Sequence, residues 1–436
     1  MIQHYSGELG TFNYDDNVFY IEMLDGEEFY LHLKENTIDL DTFYVPAGLR
    51  VCTGLFNSVN FKRSVTIVFD RNTKVEGCDD LFRNCRVMGN LNIVDLSVDE
   101  DDVPCNMFAG LDVSGFVNID TDLVFNRCTG DYAFSDIDFC KFNAHVVFKN
   151  YLADLSGCKI SEDFFKKVSL VDVSNLSRMF EYCTFLPSSM DIHLKSDTLN
   201  GIFYCTELPK KCAHIVIDTL SANHYTVDFK EGTFREAKLP KFLDLDLEIE
   251  PGEIPNIDEI VGKGGLFKFA YMFSGCSPQY IHFSERMFAQ RDLYYTGMFE
   301  ECKLPDYITE TEPVAVMRQF NEVYDKAIVS YNSDYENCKR ALIELLKSGK
   351  SKEYIIGYLK EQYKSVDVGS IYVEFNSKLS TECSKNVSSL LEIPVGSAYC
   401  RYTISEVRSK LRSVGYPKEV VDDCILNYIG DQYISL

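Results

Sequence analysis

The chain has no tryptophan, no Cys-x-x-Cys pair and no run of 18 apolar residues among its 436. Missing tryptophan carries no functional weight, but the other two absences do. Without an apolar run of that length no helix of the chain is expected to span a bilayer. Without paired cysteines, and with no His–Cys spacing that suits zinc, a structural metal site is not expected. G-x-G-x-x-G, G-x-S-x-G and H-E-x-x-H are absent as well. Gly349-Lys350-Ser351 ends like a phosphate loop, yet Glu344 stands where the first glycine of that loop belongs, so it reads as a helix stop. The sequence therefore predicts no catalytic residue, no metal and no cofactor.

Basic residues are also scarce in one part of the chain. Net charge is −24, and residues from Pro313 onward hold 16 basic and 16 acidic side chains, so the first 312 carry the whole excess. An acidic surface of that size repels nucleic acid and favours a basic partner. The 16 cysteines are too few for a disulfide scaffold. Met1 to Gly10 lack the basic start and apolar stretch of a secretion signal, which with free thiols predicts a reducing, cytoplasmic setting. The acidic run Asp99-Glu100-Asp101-Asp102 lacks the glycine and spacing of a calcium loop and is expected to be a solvated loop.

What is present, over and over, is one phrase: a large apolar residue, Phe, two spacers and often Cys. The clearest copies are Leu81-Phe82-Arg83-Asn84-Cys85, Met179-Phe180-Glu181-Tyr182-Cys183, Met272-Phe273-Ser274-Gly275-Cys276 and Met298-Phe299-Glu300-Glu301-Cys302. Looser copies begin at Phe56, Phe108, Phe125, Leu155, Phe203 and Phe234. A strand candidate follows each: 64–70, 91–97, 116–120, 144–149, 169–174, 190–195, 213–218, 242–248 and 279–283. Recurrence at such a period is the mark of stacked units, each too small to bury its own apolar face. Phe and Cys are expected to form an interior ladder behind the strands.

Alternation sorts the strand residues into faces. Ile192 and Leu194 point in, leaving Asp191, His193 and Lys195 out. Val171 and Val173 point in, leaving Asp172 out. Leu243, Leu245 and Leu247 leave Asp244, Asp246 and Glu248 out, and Ile281 with Phe283 leaves Tyr280 and His282 out. Asp95, Asn118, Asp120, His145, His214 and Asp218 are exposed by the same logic. The outer face is thus expected to be a strip of Asp with interspersed His. His193 and His214 differ in register, so they are expected to be exposed sheet residues and not a metal pair.

Ahead of the repeats, Phe19–Met23 and Phe29–Leu33 flank Asp25-Gly26 and predict a capping hairpin within residues 1–50. Residues 51–305 form the repeat array. Residues 313–436 turn helical, with a stripe from Val316 to Leu346, a second helix over Lys352–Tyr363 and an ambiguous stretch over Ser370–Leu391. Thr403-x-x-Glu406 opens a further helix as a capping box, Gly415 closes it, and Pro417 suits the start of a last helix to Ile429.

The Met-Phe-x-x-Cys phrase with its short Leu/Val/Ile–Asp strand resembles the BspA-type leucine-rich-repeat-like surface-protein repeats of bacteria and their mobile elements. The likeness covers about residues 50 to 305. It implies a curved solenoid that binds proteins and has no catalytic role. The tail, Ser405–Ile429, is similar to the paired-helix repeats of RecX-type regulators and to ubiquitin-associated-like modules, and is read as a helical docking domain. The expected fold is α+β: an irregular leucine-rich-repeat-like β-solenoid with an N-terminal β cap and a C-terminal helical domain.

These features point to a non-enzymatic interaction scaffold that binds a basic protein through Asp95, Asp172, His193, Asp244, Asp246, Tyr280 and His282. Tyr280 is the expected anchor, since aromatics dominate interface energies. Acidic mimicry of nucleic acid by a phage or mobile-element inhibitor is a second expectation. A structural subunit of a particle is a third.

Overall fold

A computed structural model of the chain describes residues 1–23, 29–99, 105–126, 133–150, 155–173, 175–196, 198–219, 232–249, 269, 271–288, 295, 297–347, 350–391, 404–413, 416, 418 and 420–426. The chain divides into two compact units, Met1–Tyr324 and Asp325–Leu436.

The first unit opens with two antiparallel hairpins. β1 (Ile2–Gly7) pairs with β2 (Gly10–Asp15), and β3 (Phe19–Met23) with β4 (Phe29–Leu33). The turn at Asp25-Gly26 lies outside the described residues. Parallel pairing begins at β5 (Thr37–Ile38) and β6 (Thr42–Tyr44), which bond to β7 (Asn60–Phe61) and β8 (Val65–Val68) of the next coil. From there the chain is a β-solenoid.

A typical coil supplies a turn holding the Phe phrase, then a short strand, reduced to an isolated bridge at Asp138, Glu207 and Lys238, then a longer one. The short strands β5, β7, β9 (Arg86–Val87) and β11 (Asp112–Val113) form one parallel sheet, and β16 (Lys159–Ile160) pairs with β18 (Thr184–Phe185) further along. The longer strands form three parallel sheets. The first holds β6, β8, β10 (Leu91–Val94), β12 (Val117–Ile119) and β14 (Phe142–Asn143). The second holds β13 (Leu123–Phe125), β15 (Val146–Lys149) and β17 (Val168–Val171). The third holds β19 (Ser189–Lys195), β20 (Cys212–Thr219), β21 (Phe242–Ile249) and β22 (Tyr280–Phe283). All nine strand candidates are therefore strands; Ser174 lies outside the described residues.

The phrase turns are themselves laddered. Phe56 N–H donates to the Leu81 carbonyl, Phe82 to Met107, Phe203 to Thr233, Phe234 to Met272 and Phe273 to Met298. Their rings are buried and stack coil on coil. Phe56, Phe82 and Phe108 lie 5.2 and 5.5 Å apart with interplanar angles of 7°. Phe180, Phe203, Phe234, Phe273 and Phe299 continue the stack at 5.2 to 5.5 Å. Such pairs add about 0.5–1.5 kcal/mol each beyond the apolar area they bury.

Two spacers per phrase do what side-chain patterning does not reveal. The residue two places after Phe has positive φ in copy after copy, as in Ser58, Asn84, Gly110, Asp136, Tyr182, Glu236, Gly275 and Glu301. So does the residue two places before it in Gly54, Asp80, Asn106, Arg178, Gly201, Tyr271 and Gly297. Glycine, Asn and Asp tolerate this conformation, and for other residues it costs about 1–2 kcal/mol. The cysteines also do more than fill space. Cys158 Sγ–H donates to the Phe134 carbonyl at 2.9 Å, Cys183 to Leu155 at 3.0 Å and Cys276 to Phe234 at 2.8 Å, always in the preceding coil. Thr206 takes the same position and its hydroxyl donates to the Phe180 carbonyl. Burial pushes the Cys85 and Cys276 thiols up to about 12, which keeps them protonated and able to donate.

Two details differ from the sequence reading. Phe125 is on strand β13 and does not belong to a phrase; Phe134, 26 residues after Phe108, occupies the ladder, its ring 5.4 Å from Phe108. The extra strand β13 hid this copy, because Ala133-Phe134-Ser135-Asp136-Ile137 lacks both the large first residue and the Cys. Second, Val171 is 41% exposed, and it is Val168 that is buried. The strand there starts one residue earlier than alternation through Asp172 implies, and Asp172 has left it at φ 54°.

Both open ends of the first unit are covered. At the N-terminal end Arg50 N–H donates to the Leu9 carbonyl at 2.7 Å, seating the first hairpin. At the other end the helix α3 (Pro313–Lys347), which spans the unit boundary, places Asn321 beside β22. Its side-chain amide accepts from Phe283 N–H and donates to the Phe283 carbonyl, both at 2.8 Å. One asparagine thus stands in for the missing next strand, while Phe320 packs against Phe283, Phe299 and Tyr307. Two single turns interrupt the strands earlier, α1 (Phe164–Lys167) and α2 (Glu285–Phe288).

The second unit is helical, with the rest of α3, then α4 (Lys352–Gln362), α5 (Val368–Leu391) and α6 (Ile404–Ser413). The ambiguous stretch is α5. Asp367 settles it by accepting from the backbone N–H of Gly369 and Ser370, and Leu379, Cys383 and Val387 at four-residue steps pack on Val407, Leu411 and Val421. Residues 420–426 are helical. Gly349, Thr403, Gly415 and Pro417 lie outside the described residues.

Replacing Phe234, in the middle of a stack, by Ala should cost about 3–5 kcal/mol in urea unfolding, with hydrogen exchange rising first in the coils either side of it. Asn84→Gly should leave stability nearly unchanged. Asn84→Val, a β-branched residue forced to positive φ, should lower it by about 1–2 kcal/mol.

Candidate functional site

The outer surface of the long strands changes character along the array. In its first part the outward residues are uncharged and satisfy one another. Asn92 donates to Thr66 at 3.4 Å, Asn118 to Asn92 at 2.8 Å and Asn143 to Asn118 at 3.1 Å. This amide ladder bonds along the stack and leaves little for a charged ligand.

The sheet β19–β22 is different. Its inward residues set the register: Ile192 pairs with Ile215, Ile215 with Leu245, and Leu245 with Phe283. All four are buried, so the phase of each strand is fixed and its alternate residues must face outward. That register aligns Asp191, His214, Asp244 and His282 in one row across four strands. His214 lies 3.8 Å from Asp191 and 3.9 Å from Asp244, and His282 Nδ1 is 2.6 Å from Asp244 Oδ1. A second, diagonal contact joins His193 to Asp218 at 3.0 Å. His193 and His214 are not register partners, as the sequence spacing implied; His193 lies opposite Val216.

Of the seven residues singled out from sequence, five therefore share this sheet: His193, Asp244, Asp246, Tyr280 and His282. Tyr280 stacks on Phe242 at 5.1 Å and on Tyr307 at 6.0 Å, and Tyr324 lies 5.5 Å from His282. The other two are elsewhere. Asp95 follows β10 at φ 59°, where Arg71 approaches it to 3.5 Å and its N–H donates to Asp120. Asp172 follows β17 and is exposed. Asp191, His214 and Asp218 complete the row and its neighbour. Aligning the inward pairs Ile192/Leu194, Ile215/Ile217 and Leu245/Leu247 would have brought them in. His224 and the side chain of Glu248 lie outside the described residues.

Asp246 is held most firmly. Burial pushes its carboxyl up, but hydrogen bonds from Arg286 and Ser284 outweigh that and leave it below the ordinary aspartate value. The short-strand face provides the contrast, because its charges are paired along the stack. Arg86 meets Asp112 at 3.2 Å, Lys159 meets Asp138 at 3.6 Å and Lys238 meets Glu207 at 3.3 Å. Among the described residues no group of three or more His, Cys, Asp and Glu is arranged to hold a metal ion.

A carboxyl group with a depressed native value contributes stability that is complete above its unfolded value, about 3.9, and is lost as pH falls through the native one. Urea midpoints of the parent chain should therefore drop on acidification below about pH 4 more steeply than those of Asp246→Asn. Parallel curves for the two would show that the Arg286 contact contributes nothing.

No family model matches the chain, and neither does any curated protein or any solved structure.

Proposed function

We propose that the chain is a non-enzymatic scaffold that binds a basic protein partner through the acidic face of β19–β22. The observation that carries this reading is the asymmetry between the two faces. Charges on the short-strand face cancel in Arg–Asp, Lys–Asp and Lys–Glu pairs, whereas on the long-strand face Asp191, Asp218 and Asp244 stand together with no Lys or Arg bonded to them among the described residues. Histidines lie between them, and Lys195 and Arg286 are the nearby cations, Arg286 being bonded to Asp246. A rigid parallel sheet fixes the spacing of those carboxylates at about 4.8 Å per rung, which is the pre-organisation a recognition surface needs. The resemblance of the Phe–Cys phrases to BspA-type repeats supports the same reading. Every described cysteine is free, which supports a cytoplasmic setting, and among the described residues no helix is long and apolar enough to cross a membrane.

Tyr280 contributes shape more than reach in this account, because its ring already stacks on Phe242 and Tyr307. The carboxylates set orientation and association rate.

The test is affinity capture from the source cells on the full chain, followed by kinetics with the captured protein. An Asp218→Asn/Asp244→Asn chain should associate about tenfold more slowly at low ionic strength, with the gap closing near 1 M salt, where the Debye length is about 3 Å. Capture of only acidic or neutral partners, or equal rates for both chains, would sink the reading.

A further inference from the structure

The long-strand wall is interrupted once between two of its sheets in a way that leaves facing strands unjoined. β17 is the last strand of the sheet it shares with β13 and β15, and β19 is the first strand of the sheet it shares with β20–β22. Among the described residues no backbone hydrogen bond connects β17 to β19. A cavity of about 920 Å³ opens between them, with Phe165, Val168, Leu170 and Leu194 among its apolar lining residues. That volume is near the top of the usual range for ligand pockets, about 300–1,000 Å³.

The cause is visible in the coil that carries β17. Its phrase has Leu155 in place of Phe, and α1 is inserted before its long strand. Phe164 fills the vacancy in the ring stack, edge-on to Phe139 at 4.9 Å and to Phe180 at 5.8 Å. Phe165, beside it, packs on Phe180 from the cavity side. Here the aromatic interior stays continuous while the sheet outside it does not.

Both facing edges keep their hydrogen-bonding groups. In β19, the Ser188 carbonyl accepts from Cys212 and Ser196 N–H donates to Asp218, so the even-numbered residues bond to β20. Parallel strands alternate the direction of these groups, which turns the N–H and C=O of Asp191, His193 and Lys195 toward the opening. In β17 the Val171 carbonyl accepts from Asn150, so Val171 and Ser169 bond to β15 and Leu170 is turned toward β19. Seven residues of β19, at about 3.3 Å each, offer an edge long enough for a short strand.

We propose that this opening is a slot for one extended segment of a partner protein, which adds a strand to β19 with apolar side chains inward and basic side chains outward. The proposal rests on the protein-binding reading above and adds how, and with what chemistry, the partner engages. Main-chain bonds would supply the affinity and alternate side chains the selectivity. Charge decides the occupant: Asp172 at one rim is exposed and the Asp191 side chain at the other is 92% exposed, two carboxylates against the one exposed cation of the lining, Lys195. A second copy of this chain, at net charge −24, would meet repulsion there.

The probe is a fluorescent acetyl-(Val-Lys)4-amide titrated into the full chain. Controls are the same peptide N-methylated at every second residue, which keeps its charge but loses half its N–H donors, and acetyl-(Val-Glu)4-amide. His193→Pro removes an N–H that faces the slot and leaves the β19–β20 bonds in place. Val171→Lys, at an exposed position, adds like charge without touching the core. The Val-Lys peptide should bind at least tenfold more tightly than either control, and each substitution should weaken it at least tenfold. Equal binding of the N-methylated peptide, or indifference to both substitutions, overturns the slot. So does concentration-dependent dimerisation abolished by His193→Pro, which would make a second copy the occupant. The sheet-face reading fails separately, through Asp218→Asn/Asp244→Asn, whose positions lie on β20 and β21 and do not line the slot, Asp218 meeting it only through His193.

Discussion

The bond between one phrase turn and the next is the constraint from which the rest of the first unit follows. A Phe N–H in one coil reaches a carbonyl in the adjacent coil, and the two rings lie face to face about 5 Å apart. That contact leaves little freedom for the strand that comes a few residues later. Once Phe180, Phe203, Phe234 and Phe273 are stacked, Ile192, Ile215, Leu245 and Phe283 are held in register, and the outward Asp and His residues fall into rows. The surface chemistry is a consequence of the interior repeat.

That same dependence explains how much was legible in the sequence. The repeat was readable because Phe, Cys and alternating apolar residues are the side chains that become buried, and burial is what leaves a periodic trace. Nine of the twelve strands in the long-strand sheets, the N-terminal hairpin and the shift to helices after Pro313 were readable in this way. Left-handed spacers were not legible: Tyr182, Glu236 and Glu301 occupy a conformation that favours glycine, and nothing in their chemistry announces it. Phe134 was missed because its phrase lost the two residues that make the others recognisable. Val171 was assigned inward because one extra residue ahead of a strand inverts every side chain in it.

The candidate face was half legible for a related reason. Outward residues could be named strand by strand, but which of them meet depends on register between strands 23 to 38 residues apart. Asp95 and Asp172 were placed with the others because they too follow apolar runs. Each instead sits at a turn where the backbone has already left the strand, and a turn carries no alternation to read. The gap beside β19 could not be foreseen at all, since Phe164 and Phe165 look like another strand until the four-residue helical turn is seen.

A stack of parallel rungs has no intrinsic length; whatever surface accepts the last rung would accept another, and unchecked growth of that kind ends in fibres. The pair of bonds from Asn321 to Phe283 removes the vacancy with a single carboxamide that mimics a peptide group but offers no onward edge. A chain that lost this residue would retain its core yet expose a template for the next molecule to continue. Closure of that end of the array thus falls on a side chain that lies outside the repeat sequence yet bonds to its last strand.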